Sequence, residues 1–148
     1  MSEYRLSESD EYNHAPTADT NFNESVYVNG FDISNNSGGW MRIGNRPNEG
    51  HAEAQVCMYL PDGRVACQFQ RPDITGNDGF AAGGLQYQVD KPAQKVTMDY
   101  TGELLVLEDP QLLRNPRELF KTAPRANGRI HYELDATSPV HGGEPVSD

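Results

Sequence analysis

The sequence predicts an all-β protein, an antiparallel meander of about eight short strands that curls into a barrel or half-barrel and carries one short helix. Three observations point there. Apolar and polar residues alternate in segment after segment, Gly- and Pro-containing turns separate those segments at short intervals, and only residues 115–121 read as a helix. A flat sheet of this size would leave two long edges exposed, a hazard that curling reduces.

The elements follow in order. Residues 1–22 are polar and aperiodic, and are expected to be a disordered or loosely attached lead-in. Val26 and Val28, with Phe31 and Ile33, belong to a first strand interrupted near Asn29-Gly30. Asn35 to Gly39 is a turn cluster, and Trp40 to Asn45 is the second strand. From His51 to Leu60 the alternation is strict, and Arg64 to Arg71 returns as the hairpin partner across Pro61-Asp62-Gly63. Leu85, Tyr87 and Val89 alternate after a Gly-rich loop, and Val96, Met98 and Tyr100 after Lys91-Pro92. Thr101-Gly102 is expected to turn the chain into Glu103–Leu107. Asn115 can cap a helix with Pro116 at its favoured first position, and Gly128 to Asp135 gives a last strand. The domain proper is therefore 23–136, with 137–148 a flexible tail or a junction to a second domain.

At 148 residues the chain has the length of one domain, and 36% apolar content with 9% aromatics predicts a sheet with one buried face. A formal charge of −10 and the lack of any basic run argue against a nucleic-acid or anionic-membrane surface. No apolar run approaches the roughly 20 residues a bilayer span needs, and no signal-type start is present, so a cytoplasmic location is expected.

The two cysteines, Cys57 and Cys67, lack metal-type spacing. A three-residue loop with Gly63 left-handed would place them opposite one another. The apolar pattern favours a different register, with Leu60 opposite Val65, which keeps Val65, Cys67 and Phe69 on the face of Ala54, Val56 and Met58. Both thiols are then expected to be free.

Polar side chains cluster at two Arg-Pro steps. Arg42, Asn45, Arg46, Glu49 and His51 lie around the first, and Arg71, Asp73, Asn77 and Asp78 around the second. Glu49 and His51 are candidate catalytic residues, an acid/base pair at a pocket mouth, with Arg42 or Arg46 orienting a polar group of the ligand. In the competing reading Asn48-Glu49-Gly50 builds a tight turn and Arg46 bonds loop carbonyls. Asp73, Asn77 and Asp78 do not match a calcium-loop spacing and are read as loop-bracing groups. His14, His51, His131 and His141 are scattered, so no metal is expected. Ser34, Ser37 and Ser138 lack a nucleophile elbow, and no phosphate- or dinucleotide-binding fingerprint occurs, so no cofactor is expected. Trp40, Phe69, Phe80, Tyr87 and Tyr100 either line an apolar pocket or form the core. Ala52, Ala54, Gly83 and Gly84 either leave room for a ligand inside a barrel or mark tight bends.

With the motifs in order, Asn23-Glu24-Ser25, the run from Gly39 to Gly50, Tyr59 to Arg64, Arg71 to Asp78 and Gly142 to Pro145 resemble the first half of an uncharacterised two-domain lipocalin-like (calycin) family. That family is a distant relative of carotenoid 1,2-hydratase and kievitone hydratase. The resemblance implies a lipocalin-like β-domain that binds an apolar small molecule of terpenoid, steroid or lipid type, or forms one half of a shell that does. Binding would involve Trp40, Arg42, Arg46, Phe69, Arg71, Phe80 and Tyr87. One alternative is a hydratase-like lyase or isomerase working through Glu49 and His51. Another is a structural half-domain whose partner is a second copy, as a homodimer, or a missing second lipocalin-like domain. Segments resembling the second domain's Arg-Asp-His-Ser-Trp-Gly stretch do not occur here.

Overall fold

In the computed structural model, the described residues are 7–137 together with the backbone of two short strands, β1 (Tyr4–Arg5) and β10 (Glu144–Pro145), which pair with each other. The tail expected from residue 137 onward, with Ser138 and His141, falls almost wholly outside the described residues. The main sheet contains β2 (Glu24–Asp32), β3 (Ser37–Arg46), β4 (His51–Tyr59), β5 (Val65–Gln70), β6 (Phe80–Ala82), β7 (Leu85–Lys91), β8 (Lys95–Leu107) and β9 (Arg125–Asp135). Among the described residues the one α-helix, α1, covers Pro116–Thr122. All pairings are antiparallel, and the sheet is an open half-barrel.

The order is not a plain meander. β2, β3, β4 and β5 follow one another, and β5 then pairs with the C-terminal end of β8. The N-terminal part of β8 pairs with β7, while β9 runs along its whole other edge. Strand β8 therefore continues straight through Thr101-Gly102, where a turn was expected. Gly102 lies opposite Gly128, and both face the interior. A Cβ at Gly102 would come 2.8 Å from Tyr100 Oη, and one at Gly128 would come 2.7 Å from Leu104 Cδ1. These glycines are sites where neighbouring side chains fold over the backbone, not turn residues.

The interior holds Met41, Ile43, Ala54, Val56, Leu85, Met98 and Tyr100, all nearly inaccessible to solvent. Gly83 and Gly84 take φ of 59° and 83° and form a two-residue β6–β7 turn, Ala82 pairing with Leu85. Their role is thus the tight bend. A Cβ on Gly83 would approach that of Ala54 to 3.2 Å, so these small residues enclose no spare volume.

A second apolar cluster lies on the opposite face of the sheet. Cys57, Val65, Cys67, Leu105 and Leu107 are covered there by Leu119 and Ala123, with Trp40, Phe69, Leu112 and Leu113 packed around them. The cover is a 3-10 turn at Pro110–Arg114 followed by α1, whose cap Asn115 accepts the Glu118 amide hydrogen at 3.3 Å. This corrects the expectation of one buried face, and with it the hairpin register. Cys57 stands opposite Cys67, and Tyr59 opposite Val65. Leu60 N–H donates to the Arg64 carbonyl at 2.9 Å, with Gly63 at φ 88° in the three-residue loop. The apolar side chains of β4 and β5 belong to two different faces, so aligning them as one stripe produced the wrong register.

At the β2–β3 turn, Phe31 is the next-to-last residue of β2 and Ile33 lies beyond the strand, 71% and 93% exposed, so neither belongs to the core. The lead-in, expected to be disordered or loosely attached, forms a 3-10 turn at Glu8–Glu11 and bonds to Asn77 in the loop between β5 and β6 through Asn13 and to Glu24 of β2 through His14. The helix-containing side of the sheet and the lead-in side thus close different parts of the half-barrel.

Candidate functional site

The residues expected to share one site divide between the two faces of the sheet. Side chains alternate along β3 and β4, so Met41, Ile43 and Asn45 point inward while Trp40, Arg42 and Arg46 point outward. Phe69 and Arg71 sit on the outer side with Glu53. Phe80 and Tyr87 are inside, their rings edge-on at 6.0 Å.

On the outer face three guanidinium groups surround one carboxylate. Arg42 Nη1 donates to Glu53 Oε2 at 3.0 Å, and Arg71 Nη2 lies 3.5 Å from Glu53 Oε1. Arg46 Nε is 3.4 Å from that same oxygen, but without hydrogen-bond alignment, which leaves this buried nitrogen unsatisfied. Arg46 Nη1 instead donates to Glu49 Oε1 at 3.1 Å. Burial pushes the Glu53 carboxyl up, but the Arg42 hydrogen bond and the charges of Arg46, Arg42 and Arg71 outweigh it and hold it below its ordinary range. Trp40 stacks against Tyr27 at 6.0 Å and tilts against Phe69 at 6.2 Å, forming an aromatic row beside the cluster.

Glu49 occupies the exposed 3-10 turn Pro47–Glu49, which Gly50 closes at φ 75°. His51 begins β4 and forms a backbone bridge with Asp73. Among the described residues Glu49 and His51 share no hydrogen bond or ion pair, and the Glu49 carboxylate is held by Arg46.

The inner site that sequence reasoning missed is a polar plug at one end of the half-barrel. Buried Asn45 donates from Nδ2 to Asn77 Oδ1 and to the Gly79 carbonyl, each at 2.9 Å. Buried Asn77 donates in turn to Glu24 Oε2 at 2.7 Å and to the His14 carbonyl at 2.8 Å. Glu24 accepts the His14 amide hydrogen and pairs with His14 Nδ1 at 2.5 Å. Thus Asn-Glu-Ser, Gly-Asn-Arg-Pro and Gly-Asn-Asp-Gly, distant in sequence, meet at one point. Asn48 adds two bonds from its Nδ2 to the carbonyls of Thr17 and Asp19.

Between the edge of β2, unpaired among the described residues, and the facing ends of β8 and β9 lies a cleft of about 350 Å³. Val26, Val28, Val96 and Leu134 make it apolar, Tyr87 lines it beside them, and Glu11 and Lys95 stand among its polar lining. Burial, followed by the charge of Glu11, pushes the Tyr87 hydroxyl up to about 12, so it stays protonated as a donor at the cleft. Of the seven ligand-binding residues expected from the sequence, only Tyr87 lines this cleft. Phe69 and Arg71 border a separate outer hollow beside Phe120. Among the described residues no group of three His, Cys, Asp or Glu side chains is placed to hold a metal ion, and no helix is long and apolar enough to cross a membrane.

Fold and cleft together define an antiparallel half-barrel in which the edge of β2 approaches the ends of β8 and β9 across an apolar seam. The chain belongs to the family described as domain of unknown function DUF7064, whose model matches residues 7–148. No curated protein and no solved structure matches it.

Proposed function

We propose that this chain binds an apolar small molecule of terpenoid, steroid or lipid type in the seam cleft, as a lipocalin-like domain or as one half of a shell. The observation that carries this reading is the cleft itself. It is apolar, opens at an unpaired strand edge, and has a volume within the range of small-molecule pockets. Tyr87 supplies one polar anchor, and Lys95 with Glu11 discriminates polar ends of the ligand. The likeness to the two-domain lipocalin-like family and its hydratase relatives supports the same ligand class.

Catalysis by Glu49 and His51 has less support, because Arg46 occupies the carboxylate and the pair lies away from the cleft lining. A half-domain docking onto a partner draws support from a different observation, the exposed Phe31 and Ile33 beside Tyr59.

A fluorescent fatty-acid analogue titrated into the protein distinguishes these readings. Leu134→Asp places a charge in the cleft and is expected to weaken binding at least about tenfold, since burying an unpaired charge costs more than 1.4 kcal/mol. Ile33→Ser is expected to leave affinity unchanged. Absence of binding by the parent chain, or loss of binding in Ile33→Ser alone, would sink the cleft proposal. The urea midpoint of each variant shows whether a loss reflects unfolding.

A further inference from the structure

We infer that Cys57 and Cys67 are the two halves of a reversible cross-strand disulfide, formed beneath the α1 cover by exchange with a glutathione-type disulfide. The inference rests on register. Leu60 and Arg64 form a hydrogen-bonded position of the β4–β5 ladder, and such positions alternate, so Cys57 and Cys67 occupy a non-hydrogen-bonded pair. Cα atoms in such pairs lie about 4.5 Å apart, within the roughly 4.4–6.8 Å that a disulfide spans. Both side chains emerge on the same outer face and enter the same apolar cluster with Leu105, Leu107 and Leu119. Both are free cysteines, and a hydrogen bond between Cys57 and Tyr59, two residues along the same strand, leaves the Cys57 sulfur on the shared face.

Burial makes both thiols sluggish, which suits a structural dithiol that exchanges only when its cover lifts. Desolvation raises Cys57, and desolvation followed by the charge of Cys57 pushes Cys67 up to about 12. Cys67 carries the stronger upward push, so Cys57 is the first to react. Its thiolate attacks one sulfur of glutathione disulfide and expels a glutathione thiolate, leaving a mixed disulfide. The Cys67 thiolate then attacks the Cys57 sulfur and expels the second glutathione. Two protein thiols are oxidised, one glutathione disulfide is reduced to two thiols, and the protons from the cysteines end on the released glutathione.

Trp40, the only tryptophan, stands directly opposite Cys57 on β3 and reports the reaction, because a disulfide quenches an adjacent excited indole. The folded chain, and the same chain in urea, are equilibrated in glutathione redox buffers from both the reduced and the oxidised side. Alkylation, intact mass and peptide mapping then count the products. Because the fold holds the two thiols in register, the folded chain is expected to form the Cys57–Cys67 disulfide in buffers at least about tenfold more reducing than the unfolded chain requires. Trp40 fluorescence falls in step. Equal or weaker oxidation in the folded state would overturn the inference, as would a stable mixed disulfide, an interchain product or persistent free thiols.

Discussion

Where β5 meets the C-terminal end of β8, both faces of the sheet are buried, one by the half-barrel interior and the other by Leu112, Leu113, Leu119 and Ala123. At the seam between β2 and β9 only the inner face is packed. There the outer side chains of β2 include exposed Tyr27 and Phe31, and those of β9 include Arg129, His131 and Glu133 in an ion-pair ladder with Asp99 and Lys95. Two-sided burial fixes the register of a strand pair through many contacts. One-sided burial beside an unpaired edge leaves a cleft that small ligands can enter without breaking a ladder hydrogen bond. The same sheet therefore combines a rigid wall and an accessible margin.

Truncation of one leucine in each region measures that contrast, and the largest effect is expected at the wall. Leu119→Ala empties space beneath α1 at a position only 2% exposed, and should lower unfolding stability by about 2–4 kcal/mol. Leu134→Ala, at a half-buried position lining the cleft, should lose about 1 kcal/mol, because less surface leaves water on folding. Urea unfolding followed by Trp40 fluorescence gives both values. Equal losses would mean that the seam is packed as tightly as the wall, and the cleft would lose its claim as a ligand site.

The wall also explains which parts of the fold were legible in the sequence. Alternation worked wherever one face was wet: Val26 and Val28, Leu85 and Tyr87, Met98 and Tyr100, and Ile130 to Leu134 were all placed on the inner side. It failed at Val65, Cys67 and Phe69, because a strand buried on both faces offers no polar phase to align with. The rejected register was the one that the Pro61-Asp62-Gly63 turn chemistry supports, so local turn geometry was the better guide there. The helix at 116–122 was readable from its Asn-Pro start, yet what it covers was not. The two Arg-Pro loops were recognised as special, and they do meet, with Ala52 N–H donating to the Pro72 carbonyl at 2.9 Å. The candidate site was read less well. Arg42, Arg46 and Arg71 share a face and a partner, Glu53, whereas Phe80 and Tyr87 are on the other side. A parity count along β3 and β4 would have separated them. The seam cleft depends on how two sequence-distant edges approach, for which no local pattern exists.

The polar plug offers an intermediate test of the margin. Asn77→Ala removes the group that joins Asn13, Asn45, Glu24 and the His14 carbonyl, leaving three buried or half-buried side chains short of a partner. A loss of about 1–3 kcal/mol is expected. Faster protease cleavage within residues 7–22 should accompany it, because Asn77 holds that segment to the sheet. The Leu119→Ala protein should show cleavage near α1 instead. If Asn77→Ala leaves the lead-in as resistant as before, the plug does not secure it.

The smallest effect is a pH dependence carried by the same contact. The hydrogen bond to Glu24, then its charge, raises His14 above its ordinary value of 6.5. Burial pushes Glu24 up, but bonds from His14 and Asn77 bring it below its ordinary 4.5. A raised histidine contributes stability that is complete below 6.5 and fades as pH rises through its folded value. A lowered carboxylate contributes stability above 4.5 that fades as pH falls through its folded value. The contact is therefore strongest between these limits, and the fold should lose a little stability from pH 6 to pH 8. His131, raised by Asp99 and Glu133, adds a change of the same sign on β8 and β9. Glu24→Gln separates the two, since it should remove the His14 share of the slope while Asp99→Asn removes the larger part of the other. The His14 side chain is 59% exposed, so water weakens the pair and its share stays small. Identical slopes in Glu24→Gln and the parent chain would show that the lead-in contact contributes nothing, and that the margin's pH response belongs to the β8–β9 ladder alone.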